Sequence, residues 1–200
     1  MRRNIFPAVR QDRERNTPQV DRGTVLNGGT EIIGAGGVDS GTGIEAGGTE
    51  TVLAGGLVYL TKAGTTGVTV DSGGIEVVSS GLSLKDLAVS GGDAKIAGVM
   101  AKGQRVNMAG AGSILDLASP AGFGAGISGF GTGDSIDFSN LPYRAGASAQ
   151  FREAKNGTSG TLTLTDGATT QKLKLLGAYV TSNFNVTSDS SGSTIIKFNT

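Results

Sequence analysis

Glycine pairs recur along the first half of the chain, and they constrain its fold more than any other feature. They stand at positions 28–29, 36–37, 47–48, 55–56, 73–74 and 91–92. The steps between them are 8, 11, 8, 18 and 18 residues, an underlying period of 18–19 with one longer interval of 26 between Gly47 and Gly73. Between pairs lie short β-favouring runs: Thr30-Glu31-Ile32-Ile33, Thr49-Glu50-Thr51-Val52, Ile75-Glu76-Val77-Val78 and Asp93-Ala94-Lys95-Ile96. Short strands at a fixed period predict a β-solenoid, whose turns stack in register about 4.7–4.9 Å apart. Glycine supplies the positive-φ corners that other residues reach only with strain. A helical reading fails, because each glycine in a helix costs about 1 kcal/mol against alanine.

Aligned from their glycine pairs, the four runs form columns. The fourth place is always aliphatic (Ile33, Val52, Val78, Ile96), which assigns it to the interior. The second place carries Glu31, Glu50 and Glu76, then Ala94. In a straight strand these two places share a face. Carboxylates buried beside an aliphatic stack are costly, so the expectation is a corner or rim where the glutamates stay solvated. A cation that relieves the stacked charges is the alternative. The residues between Gly55 and Gly73 are expected to add strands or a loop.

From about residue 120 the rhythm stops. Gly160-Thr161-Leu162-Thr163-Leu164-Thr165 alternates, turns at Asp166-Gly167 and returns through Lys172-Leu173-Lys174-Leu175-Leu176. This predicts a β-hairpin. A second hairpin runs from Asn183-Phe184-Asn185-Val186 through Asp189-Ser190-Ser191-Gly192 to Thr194-Ile195-Ile196-Lys197-Phe198. Leu162, Leu164, Leu173, Leu175, Phe184 and Ile196 would share an apolar face. Antiparallel hairpins suit a cap, because an open solenoid end exposes unpaired backbone groups and an apolar cross-section.

Residues 1–22 differ again. Six arginines stand against Asp12, Glu14 and Asp21, giving this segment +3 and the remainder −3. The apolar stretch from Ile5 to Val9 is broken by Arg10 and is too short for a secretory signal peptide. The division expected is a basic arm (1–22), a Gly-Gly repeat solenoid (23–119) and a C-terminal closing region (120–200). Ile5, Phe6 and Val9 are large apolar groups with no local core, so they are the candidate contacts of the arm with a second copy.

Composition excludes several chemistries. The 200 residues hold no Cys, no His and no Trp, with 17 Lys plus Arg balanced by 17 Asp plus Glu. No thiolate nucleophile, Ser-His-Asp triad or His- or Cys-ligated metal can form. Balanced charge argues against a large nucleic-acid surface. No apolar run approaches the roughly 20 residues that span a bilayer. Zero net charge also argues against a wholly disordered chain.

The pattern Gly-Gly-Thr-Glu-Ile-Ile … Gly-Gly-Val-Asp-Ser-Gly resembles the AIDA-type repeats of bacterial autotransporter adhesin passengers, over about residues 23–100. That resemblance implies a right-handed parallel β-solenoid outside the cell. The chain departs from the pattern in its few, irregularly spaced repeats. Neither a signal peptide before the repeats nor a membrane barrel after them is expected from the sequence. The stretch from Gly133-Asp134-Ser135-Ile136-Asp137 to Ser193-Thr194-Ile195-Ile196 resembles segments that close AIDA-type or repeats-in-toxin arrays in large secreted proteins of alphaproteobacteria. It implies export by type I secretion, whose signal is uncleaved and C-terminal.

Two chemistries compete with structural roles for the remaining polar residues. Gly129-Phe130-Gly131-Thr132-Gly133-Asp134-Ser135-Ile136-Asp137 is a partial copy of a repeats-in-toxin calcium motif, so Asp134 and Asp137 are candidate ligands of one calcium ion. The competing reading is a structural turn, with no cofactor required. Polysaccharide cleavage needs acids clustered in one groove. Asp39, Asp71, Asp86, Asp116 and Lys62 are scattered, each expected in a solvated turn, and only Tyr59, Tyr143 and Tyr179 could stack on sugars. Gly131-Thr132-Gly133 is not followed by the Lys-Ser/Thr of a phosphate loop.

The expectation is an all-β, non-catalytic protein at the cell surface or outside the cell. It would assemble with itself, head to tail, into fibres or a biofilm-matrix layer. The alternative is a monomeric adhesin-like or calcium-dependent module that binds a cell-surface glycan.

Overall fold

The computed structural model describes residues 20–22, 25–26, 30–40, 43–44, 49–60 and 67–199. Ile5, Phe6, Val9 and Lys62 lie outside the described residues. The first strands in chain order are β1 (Val20–Arg22), β2 (Val25–Leu26), β3 (Thr30–Ile33), β4 (Val38–Ser40), β5 (Gly43–Ile44), β6 (Thr49–Val52) and β7 (Leu57–Leu60). They continue as β8 (Val68–Asp71), β9 (Ile75–Val78), β10 (Asp86–Ser90), β11 (Asp93–Ile96), β12 (Arg105–Gly110), β13 (Ile114–Leu117) and β14 (Gly126–Ser128). The last are β15 (Ser135–Pro142), β16 (Ser148–Glu153), β17 (Ser159–Asp166), β18 (Thr169–Leu176), β19 (Phe184–Ser188) and β20 (Ser193–Phe198).

These strands form a β-solenoid of about five turns. Sheet I has the order β1-β4-β7-β9-β11-β13-β15-β20-β19, and sheet II the order β16-β17-β18-β14-β12-β10-β8-β6-β3. The chain alternates between them, so each turn lays one strand on each. A short third face holds the parallel pair β2-β5 and the parallel bridges Ser83↔Val99 and Met100↔Phe123. Pairing is parallel from β1 to β15 on sheet I and from β3 to β18 on sheet II.

The register shows why the glycine spacing looked irregular. Val20, Val38, Leu57, Ile75 and Asp93 are successive neighbours on sheet I, and Glu31, Glu50, Val68, Leu87 and Val106 on sheet II. Every one of these turns is 18 or 19 residues long. The 26-residue interval is not one long turn: Gly47-Gly48 precede a sheet II strand, whereas Gly73-Gly74 precede a sheet I strand. The residues between Gly55 and Gly73 supply β7 and β8, one ordinary strand on each sheet.

The glycine pair at the sheet I corner has a double cause. Its first member sits at the third position of a tight turn with φ of 75° to 80° at Gly36, Gly55, Gly73 and Gly91, the conformation a type II turn reserves there. The turns close through Gly37 N–H to Gly34 O, Gly56 N–H to Leu53 O and Gly74 N–H to Asp71 O, at 2.8 to 2.9 Å. Its second member lies against the preceding turn. A Cβ on Gly56 would collide with the Ile33 carbonyl oxygen, and one on Gly92 would stand 2.5 Å from the Asp71 carbonyl oxygen.

Inward columns fill the space between the sheets. Ile33, Val52, Val70, Val89 and Met108 stack on sheet II, and Leu60, Val78 and Ile96 on sheet I, all buried. The aliphatic fourth place is therefore interior, as its column suggested. Each such side chain contributes about 1.5–3 kcal/mol by leaving water.

Both C-terminal hairpins form, but each extends a different sheet. β18 adds in parallel to β14, and β17 and β16 return antiparallel on sheet II. β20 and β19 do the same beyond β15 on sheet I. Leu162, Leu164, Leu173, Leu175, Phe184 and Ile196 are all buried. Phe130 lies 6.1 Å from Phe184 and 5.7 Å from Phe198, and Phe151 lies 5.6 Å from Tyr179, so aromatic rings fill this end. Asp166 ties the hairpins together, accepting the Thr194 hydroxyl at 2.7 Å. The parallel ladder crosses residue 119 without a break, through β13–β15 and β12–β14. Val20–Arg22, within the segment read as an arm, form β1.

Candidate functional site

The first turns carry acid where the later turns carry hydrocarbon. On sheet II the inward column reads Glu31, Glu50, Val68, Leu87, Val106, Ile127. On sheet I it reads Asp39, Val58, Glu76, Ala94, Leu115, Ile136. Glu31 is 6% exposed, and Asp39, Glu50 and Glu76 are 0% exposed. The expectation of solvated glutamates at a corner is therefore wrong. The second place points inward, as strand alternation requires, and the carboxylates follow it. Asp39, expected in a solvated turn, is interior for the same reason.

The acids face one another across the solenoid. Carboxylate oxygens of Glu31, Asp39 and Glu50 lie within 4.8 Å of each other. Among the described residues no lysine or arginine is buried with them. Glu50 meets the Asp39 carboxyl side chain to side chain, whereas both oxygens of Glu76 are buried without a hydrogen-bond partner among the described residues. Burial pushes the Glu50 carboxyl up to about 8, helped by the charges of Asp39 and then Glu31. Burial holds Glu76 well above the usual carboxylate range, with Glu50 and then Asp39 adding to it. Like charges in a water-poor interior disfavour each other's ionisation. Such a site can take up protons or a cation.

Asp134 and Asp137 do not share an environment. Asp134 is buried in the turn before β15 and accepts the Ser113 N–H at 3.0 Å and the Gly131 N–H at 2.9 Å. Both of its oxygens thus hold backbone. Asp137 stands on the outward face of sheet I in register with Asp116. Burial raises its carboxyl to about 6, with Asp116 and then Asp189 adding to the shift. The described acids that could share one ion are Glu31, Asp39 and Glu50.

Sequence reasoning missed this cluster because it aligned strands from two sheets as one column. The signal was present: Glu31 and Glu50 sit one period apart, and Asp39 falls midway, on the opposing strand. Sheet I also shows an unexpected outer face. Val20, Val38, Leu57 and Ile75 form one outward row, with Tyr59 and Val77 in register beside it. Val20 is 48% and Tyr59 40% exposed. No family model matches the chain, and neither a curated protein nor a solved structure is found similar to it.

Proposed function

We propose that this chain is a non-catalytic structural protein that assembles with itself into extracellular fibres or a biofilm-matrix layer. The observation that carries the reading is the difference between the two solenoid ends. The C-terminal end is closed by hairpins and aromatic rings. Its outer strand β16 is engaged at Phe151, whose N–H donates to the Thr181 hydroxyl at 3.1 Å. At the other end β1 and β3 are the outermost described strands of their sheets. A parallel strand edge is a template for a further strand. A second copy of the chain supplies the same two strands at the same spacing, so contact between copies could extend both sheets at once. The outward aliphatic face lies on the same turns and gives a lateral contact between such pairs. The extracellular setting and type I export rest on the resemblance of the repeats and closing segment to secreted proteins. The non-catalytic reading is supported by the absence of His and Cys from the sequence.

Sedimentation and negative-stain electron microscopy of the purified chain test the reading. Concentration-dependent assemblies are expected, and Tyr59→Lys should reduce them, because it places a charge on the outward face. Head-to-tail stacking through the arm would instead give single filaments that depend on Ile5, Phe6 and Val9. Dispersed monomers at every concentration would overturn self-assembly and favour a monomeric glycan-binding module.

A further inference from the structure

We infer that the acidic interior of the first turns is a binding site for a divalent, oxygen-preferring cation, with calcium the best fit, held by Glu31, Asp39 and Glu50 and backed by Glu76. The inference does not depend on self-assembly.

Three features argue for it. The first is geometry. Two oxygens bound to one calcium ion at about 2.3–2.6 Å can stand no more than about 5 Å apart. The oxygens of Glu31, Asp39 and Glu50 meet that limit, at 4.8 Å or less. They come from three strands, β3, β4 and β6, so the ligands are fixed by both sheets rather than by one mobile loop. The second feature is Glu76, which lies outside that group. It is fully buried on the inward face of β9, its carboxylate has no hydrogen-bond partner among the described residues, and the described charges that act on it are Glu50 and Asp39. An ionised carboxylate so placed costs several kcal/mol unless a counter-charge meets it. The third feature is the sequence pattern. The opposite inward columns become aliphatic or alanine past these turns, so acid is confined to one place and is not a general property of the repeat.

The donor set selects the ion. Only carboxylate oxygen is offered, with no imidazole or thiolate anywhere in the chain. Hard cations suit such a site, whereas zinc and copper favour nitrogen and sulfur. The three carboxylates, each able to bind through one or both oxygens, can approach the lower end of the six to eight oxygens that calcium takes, and Glu76 adds negative charge beside them. Magnesium requires a tighter octahedron and keeps its waters, which an interior between two packed sheets does not easily admit.

The test uses the full chain, stripped with chelator and dialysed at neutral pH. Calorimetric titration and thermal melts are run with calcium, with magnesium, and with a potassium salt at equal ionic strength. The expected result is one calcium per chain, a Kd on the order of 10⁻⁴ M or tighter, and a higher Tm in calcium than in potassium. Glu50→Gln should weaken binding at least tenfold, and Glu31→Gln with Asp39→Asn should abolish it. Asp116→Asn with Asp137→Asn is the control and should bind as the wild type does. If the double interior variant does not fold, Glu50→Gln alone decides, since it is nearly isosteric. Absence of heat and of a calcium-specific Tm shift in the wild type would overturn the site. So would binding that survives Glu50→Gln but is lost in the Asp116/Asp137 control.

Discussion

Glu50 occupies an inward position that its neighbours in the same column fill with Val68, Leu87 and Val106. Its proton is therefore coupled to folding. The folded carboxyl titrates near 8, against an ordinary value of 4.5. The folded chain keeps a proton that the unfolded chain releases, so the contribution of Glu50 to stability in chelator is greatest below about pH 4.5 and declines as pH rises towards 8. The slope is about 1.4 kcal/mol per pH unit for each proton retained. Among the described residues the charged groups facing Glu50 are Glu31 on β3, Asp39 on β4 and Glu76 on β9, all of the same sign, so none of these reverses the slope. Glu50→Gln stays neutral and should flatten it, as read from urea midpoints in chelator between about pH 5 and about pH 8. Equal slopes in the two proteins would show that Glu50 ionises freely in the folded state. Ser113 is a second residue whose effect reaches beyond its own strand. It is fully buried, its hydroxyl lies 2.6 Å from Gly110 O and 3.0 Å from Val89 O, and it accepts the Gly91 N–H at 3.0 Å. Ser113→Ala leaves these groups short of a partner and should cost about 1–3 kcal/mol. A urea midpoint unchanged from wild type would mean that the turn relaxes to satisfy them.

At the scale of elements, much of the architecture was legible. The described Gly-Gly pairs, at 36–37, 55–56, 73–74 and 91–92, mark real corners, the aliphatic fourth place is interior, and alternation around Asp166-Gly167 gives the β17–β18 hairpin. What was not legible has a physical origin. A period shared by two sheets lets strands from either be laid over one another, so Glu31 and Glu76 looked like members of one column. Periodicity reports how often the chain turns, not which face it has reached. The solvated expectation for the glutamates came from the cost of burying charge, a sound rule that assumes an ionised, unpartnered group. Protons or a cation remove that assumption. Asp134 and Asp137 stand three residues apart in the calcium-like motif, but Asp134 holds backbone N–H groups through both oxygens while Asp137 faces outward beside Asp116. The hairpins also hold each other. Asp166 accepts the Thr194 hydroxyl at 2.7 Å and the Arg144 N–H at 3.3 Å, joining sheet II to sheet I. Asp166→Ala should loosen this end, with a fall in Tm and faster proteolysis between β18 and β19. Loss of Tm without faster cleavage would place its effect in β17 alone.

Across the whole molecule, each turn contacts its neighbours and little else, so stability is a sum of turn and interface terms rather than a single value. The terms are unequal. Towards the C-terminal end the interior holds Leu115, Ile127, Ile136 and Phe138, all fully buried, and the hairpins cover the last turn. Towards the other end Glu31, Asp39, Glu50 and Glu76 replace hydrocarbon, and β1 and β3 are the outermost described strands. Local opening is governed by such differences in buried apolar contact. Backbone amides should therefore exchange with solvent in a gradient, fastest near Glu50 and Val52, slower at Val70 and Val89, and slowest at Leu115 and Ile136. In chelator at neutral pH the gradient should be steep. With calcium the protection of β3, β4 and β6 should rise while that of β13 and β15 stays fixed, because a bound ion stabilises the turns that hold it. Self-association through the first turns would protect the same strands, but in proportion to protein concentration, so comparing dilute and concentrated samples separates the two effects. Uniform exchange along the solenoid, unmoved by calcium or concentration, would mean that the acidic turns are as cooperative as the aliphatic ones and that neither a cation nor a second copy acts there.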